Sequence, residues 1–175
     1  MKNINLKFIL LAFFVLITSL KSYSQIAKAE IIATGLTCSM CSNAINKQLK
    51  AMPEVESVAT DLNTNTFTVV LKKNNSLSPK VLKNSVEKAG FFIGSMVLTM
   101  EFDNLKIEDN LVVKKENATF IFVDSKSKIG NETTRVQVLD KGYVTQKEYK
   151  KLEKSFSRYA SYAAGNENDF HLKTI

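Results

Sequence analysis

The sequence predicts an α+β protein. Segments with two-residue apolar alternation and segments with helical spacing succeed each other in the order βαββαβ up to about residue 100, and a second set of short strands then ends in a helix. The first arrangement is the ferredoxin-like sandwich. The second reads as a small β-rich module with a terminal helix. The chain has 175 residues, 45% of them hydrophobic, and no low-complexity tract, which excludes wholesale disorder.

Lys2 and Lys7 precede an apolar run from Phe8 to Leu20, and Ser22-Tyr23-Ser24 places small residues two apart before Gln25. This is the pattern of a secretory signal peptide over 1–24, with cleavage after Ser24. The run is short of the ~20 residues that span a bilayer, so no stable membrane insertion is expected once the signal is cleaved. No cysteine follows the run to carry a lipid anchor. The mature protein is therefore expected in the periplasm or secreted. Loss of Lys2, Lys7 and Lys21 lowers the formal net charge of +7, and the remaining lysines are scattered without interleaved aromatics. Nucleic acid is not an expected partner.

In the mature chain, Glu30-Ile31-Ile32-Ala33 reads as the first strand. Ala44, Ile45, Gln48, Leu49 and Met52 then recur at helical spacing until Pro53. Val55, Val58, Thr60 and Leu62 suit a second strand, Asn63-Thr64-Asn65 a turn, and Phe67, Val69 and Leu71 the returning strand of a hairpin. Ser78-Pro79 signals a helix start, with Ser78 as the expected cap. Val81, Leu82, Ser85, Val86 and Ala89 form its apolar face, and Gly90 stops it. Phe91 to Met100 reads as the last strand, with Ile93, Met96, Leu98 and Met100 available to the core. This unit is expected over 25–100.

Cys38 and Cys41, the chain's two cysteines, fall on the loop between the first strand and first helix, in Gly35-Leu36-Thr37-Cys38-Ser39-Met40-Cys41. Two thiols at this spacing can hold one soft metal ion, close a small disulfide, or act as a redox pair. The start of a helix favours negative charge, because its N–H groups lack partners and its dipole is positive there. A bridge closing so short a loop stabilises little. A thioredoxin-like role is disfavoured by the absence of tryptophan, of proline between the cysteines, and of the thioredoxin element order.

These residues resemble the heavy-metal-associated domain of copper chaperones, metal-pumping ATPase tails and the periplasmic mercury-binding protein. That family's Gly-Met-Thr-Cys-x-x-Cys stands here as Gly35 to Cys41, its hairpin pattern as Val55 to Thr64, and its second-helix ending as Lys88-Ala89-Gly90-Phe91. The resemblance covers roughly residues 27 to 100. It implies that Cys38 and Cys41 are the metal ligands, with Gly35, Leu36, Thr37, Ser39, Met40 and Phe91 forming the loop and its surroundings. Leu36 replaces the family's methionine, a near volume-conserving change. Phe91 stands where the family often has tyrosine or lysine, and it can shield an ion but cannot hydrogen-bond to its ligands.

Cu(I) suits two thiolates, and its low coordination leaves room for a partner's cysteine or methionine to attack, so the ion moves by ligand exchange. Zn(II) seeks four ligands, which the chain is poorly equipped to supply. Within the resemblance, Thr37 in place of an acidic residue favours Cu(I) over Zn(II) or Cd(II), with Hg(II) an abiotic equivalent. Met40 is expected on the loop surface. The implied partner is a metal donor or acceptor, such as a metal-transporting ATPase or efflux component. The chain is read as a carrier and not an enzyme, with a thiol-disulfide oxidoreductase using the same pair as the alternative.

From Glu101 onward, Leu111-Val112-Val113, Ala118 to Val123 and Thr134 to Leu139 read as strands separated by polar loops, one of them through Ser125, Lys128, Gly130 and Asn131. Thr145 and Glu148 form a capping box, and Tyr149, Leu152, Phe156 and Tyr159 share a helix face. This module is expected over 101–164 and resembles no family. Residues 165–175 are expected to be a flexible tail carrying an exposed His171.

Overall fold

The computed structural model describes residues 24–36, 39–126 and 128–175. The predicted signal peptide therefore lies, apart from Ser24, outside the described residues. β1 (Ser24–Thr34), α1 (Ser39–Lys50), β2 (Val55–Asp61), β3 (Thr66–Leu71), α2 (Pro79–Lys88) and β4 (Phe92–Ile107) follow in the expected order. β5 (Val112–Lys114), β6 (Thr119–Phe122), β7 (Lys128–Val138), α3 (Gln146–Ser155), α4 (Ala160–Ala164) and β8 (Asp169–Thr174) complete the chain.

The first four strands lie in the order β2-β3-β1-β4, all neighbours antiparallel, which is the ferredoxin-like sheet. α1 and α2 cover one face. Ile45 and Leu49 of α1 and Leu82 and Val86 of α2 pack with Ile31, Phe67, Val69, Met96, Leu98 and Met100 in one core. Helical spacing in the helices and two-residue alternation in the strands bring these residues to a common interface. Met96 and Met100 are buried core residues, as expected. Ser78 occupies the N-cap of α2 but makes no side-chain capping bond, so proline at the helix start carries that boundary.

β4 is longer than its expected span and crosses the boundary placed at 100/101. It pairs with β1 from Phe102 to Phe92 and, on its other edge, with β7 from Val97 to Ile107. The C-terminal segment thus extends the same sheet to eight strands, in the order β2-β3-β1-β4-β7-β8-β6-β5. Arg135 of β7 reaches across β4 to Glu30 of β1 at 2.6 Å. The Lys28 hydrogen bond first, and Arg135 with it, hold the Glu30 carboxyl below its ordinary range. Stability from this group is present above the usual carboxylate range and is lost as pH falls through the lowered value.

Three expectations are corrected here. Lys128 to Asn131, read as part of a polar loop, begin β7. Residues 165–175 are not a flexible tail, because β8 inserts between β7 and β6, antiparallel to one and parallel to the other. Phe170 and Leu172 join the core below, and Phe170 packs its ring 6.0 Å from Phe120 and 5.8 Å from Tyr143. His171 is also corrected. It is 1% exposed, on the opposite sheet face, where Ile121, Val123 and Leu139 meet Phe156, Tyr159 and Tyr162 around α3 and α4. The expected cap of α3 is present, with Thr145 Oγ1 accepting from the Glu148 N–H at 3.2 Å.

Phe170→Ala should destabilise the protein by about 3–5 kcal/mol, the usual cost of emptying a buried aromatic site. Urea unfolding measures it, and a change under 1 kcal/mol would contradict the central placement of β8.

Candidate metal centre

The loop that carries the cysteines leaves the end of β1. Gly35 has φ +85°, a left-handed conformation that disfavours a side chain. Leu36 turns inward and is partly buried against the core, the part expected of the family's methionine. Thr37 and Cys38 lie outside the described residues, as does the Ser39 side chain. α1 begins at Ser39, so Cys41 falls in its first turn, where it is half-buried. Met40 beside it is 80% exposed, as expected of a loop-surface residue. No carboxylate occupies that first turn, and Lys47 and Lys50 occupy the last. The helix N-terminus therefore offers its positive end and N–H groups to an anionic sulfur without a competing anion.

Phe91 is brought to this loop by the end of α2. The Gly90 N–H donates to the Glu87 carbonyl at 2.9 Å and the Phe91 N–H to the Val86 carbonyl at 3.3 Å, while Gly90 holds φ +88°. This pair of bonds is a Schellman ending, and it sets where the next side chain emerges. Phe91 is half-buried against the core, and a Cβ added to Gly35 would stand 3.9 Å from its Cδ1. The aromatic ring thus flanks the base of the cysteine loop. Of the expected surrounding residues, the structure brings together Gly35, Leu36, Met40 and Phe91 around the start of α1.

One supporting residue escaped the sequence reading. Gly94 of β4 lies so close to the end of β1 that an added Cβ would stand 2.6 Å from Thr34 Cγ2 and 3.7 Å from Thr145 Cγ2. Ser95 also bridges to Val144, so the segment before α3 packs beside the strand end that holds the loop. A glycine inside a strand was the available signal, because it often marks a close approach of other chain segments. His171 takes no part in this centre. It sits on β8, three places from β1 in the sheet order, about 14 Å away at ordinary strand spacing.

Residues 30–92 match the family model of the heavy-metal-associated domain. The solved structures similar to it include the yeast copper transporter domain CCC2A, described in apo and Cu(I)-loaded states. That domain is 31% identical, over 38% of this chain and 90% of its own, with a TM-score of 0.35. A copper-binding domain from HMA7, a P-type ATPase, is 31% identical over 37% of this chain and 85% of its own, with a TM-score of 0.34. The N-terminal domain of a potential copper-translocating P-type ATPase from Bacillus subtilis, in its Cu(I)-loaded state, is 31% identical over 38% and 82%, with a TM-score of 0.34. No curated protein matches the chain.

Gly94→Ala should cost about 1–3 kcal/mol in thermal or urea unfolding, the usual cost of forcing extra atoms into a packed site. Combining it with Thr34→Ser, which removes the obstructing methyl group, should restore part of that loss. Additive effects of the two changes would show that Thr34 is not the obstruction.

Proposed function

We propose that the chain is an exported carrier of soft metal ions that takes up Cu(I) at Cys38 and Cys41 and passes it on by ligand exchange. The observation that carries this reading is Cys41 in the first turn of α1, within the segment that matches the heavy-metal-associated domain. Two thiolates satisfy Cu(I) while leaving it open to a third sulfur from a partner, so transfer proceeds through a shared three-coordinate ion that is never released to water. No general acid or base is required. The residues around the site have passive parts: Leu36 ties the loop to the core, Gly35 permits its turn, and Phe91 limits water at one side. Hg(II) fits the same two-thiolate geometry, whereas Zn(II) and Cd(II) favour larger ligand sets.

The partner in this reading is a protein that offers or accepts Cu(I) through its own cysteine or methionine sulfur, such as a metal-transporting ATPase or efflux component. Export adds a condition, because the two thiols must meet metal or a reductant before an oxidant joins them. Cleavage after Ser24 would leave Gln25 as the N-terminus. Gln25 is already held there, since its side chain donates to Glu101 and accepts from the Asn74 N–H at 2.8 Å.

Reduced protein titrated with Cu(I) against a competing chelator should take up about one equivalent, and Cys38→Ser with Cys41→Ser should weaken binding by about 100-fold or more. An unchanged affinity in the double variant would remove the cysteine pair from the site. N-terminal sequencing of protein isolated from its own cells should begin at Gln25-Ile26, and a chain beginning at Met1 would contradict export with cleavage.

A further inference from the structure

Asp140, Ser161 and His171 come from the segment after β7, from α4 and from β8, and they meet on the sheet face opposite α1 and α2. The His171 N–H donates to Asp140 Oδ2 at 2.6 Å, and His171 Nδ1 stands 2.7 Å from Asp140 Oδ1. His171 Nε2 is 3.0 Å from Ser161 Oγ. An ionised carboxylate can only accept, so the ring hydrogen belongs on Nδ1. In the neutral imidazole, Nε2 then carries the lone pair, and the Ser161 hydroxyl donates to it.

The ring is held in that orientation from several sides. Tyr162 packs its ring edge-on to His171 with centroids 4.9 Å apart, and its hydroxyl donates to the Leu139 carbonyl at 2.8 Å. The Leu139 N–H in turn donates to the His171 carbonyl at 2.9 Å. Two other helical serines satisfy their hydroxyls locally. Ser85 donates to the Val81 carbonyl and Ser155 to the Lys151 carbonyl, each at 3.1 Å. Ser161 is directed at an imidazole lone pair instead.

This is the acid-base-nucleophile arrangement of acyl transfer, recognised by geometry and roles and not by chain order. We infer that Ser161 is a nucleophile, activated by His171 and oriented through Asp140, that accepts the acyl group of small carboxylic esters. Ser161 is half-buried and flanked by the exposed small residues Ala160, Ala163 and Ala164, and a Cβ on Gly165 would meet nothing within 4 Å. A cleft of about 250 Å³ shares Asp140 and Tyr162 with the cluster and is lined also by Tyr149, Gly165 and, from α2, Lys80 and Lys83.

In the acyl-transfer step, Ser161 Oγ bonds to the ester carbonyl carbon as its proton passes to His171 Nε2. The bond to the alcohol oxygen breaks, and the alcohol leaves with that proton. Water then gives a proton to Nε2, attacks the acyl carbon, and releases the carboxylic acid with Ser161 restored. His171 contributes the base, and Asp140 is a positioning residue that keeps the ring in the required tautomer. This chemistry is independent of the cysteine loop.

The full chain is to be treated with a fluorophosphonate probe, mapped by peptide mass spectrometry, and assayed with p-nitrophenyl acetate. One adduct on Ser161 is expected. Ser161→Ala should abolish it and lower p-nitrophenol release at least about tenfold. Alanine favours a helix, so that variant should retain its melting profile. Should it not, labelling of the unaltered chain still decides the matter. No adduct at Ser161, an adduct on another side chain, or equal ester hydrolysis by Ser161→Ala would each overturn the assignment.

Discussion

Pairing along both edges of β4 is the constraint on which the rest of the structure depends. In a βαββαβ unit alone, the fourth strand is an edge, with a row of N–H and C=O groups open to any passing strand. Here β7 takes that edge from Val97 to Ile107 while β1 holds the other from Phe92 to Phe102. The two ladders overlap along the middle of β4, so the metal-binding unit and the C-terminal segment share backbone hydrogen bonds as well as side-chain contacts. Glu30 and Arg135 span that overlap on the sheet surface. An exposed pair of this kind adds little stability and chiefly favours one register.

Sharing β4 also determines where the extension can act. The segment after β7 turns past the free end of β4, bridges Ser95 through Val144, and starts α3 at Thr145 beside Gly94 and Thr34. The strand end that launches the cysteine loop is therefore buttressed by the extension. On the other side of that loop, Phe91 is held by the Schellman ending of α2 and flanks Gly35. The described residues on either side of the loop are thus held by the sheet and by the end of α2. The Asp140, Ser161 and His171 cluster lies on the sheet face opposite α1 and α2.

Legibility in the sequence followed the range of the interactions. α1, α2 and the β2-β3 hairpin were readable because helical spacing, Pro79, Gly90 and the Asn63-Thr64-Asn65 turn act within a few residues. The cap at Thr145 was readable for the same reason. β8 was not, since Asp169 to Thr174 is a short segment beside polar residues, and its partners are Thr119 to Phe122 and Val136 to Val138. A strand held between two distant neighbours carries little local pattern of its own. The start of β7 was missed similarly, as its polar residues become strand only by pairing with the far end of β4.

From the residues alone came the βαββαβ order and the place of Cys38 and Cys41 on a strand-to-helix loop, because each depends on groups close in the chain. The choice of a soft-metal clamp over a disulfide or a redox pair is what the resemblance to the heavy-metal-associated domain implies. The tertiary structure decided that the C-terminal half continues the same sheet, that Gly94 must be small, and that His171 is buried against Asp140 and Ser161. Those outcomes arise from contacts between segments far apart in sequence. Burial and pairing at such separations exist only once the sheet has closed around them.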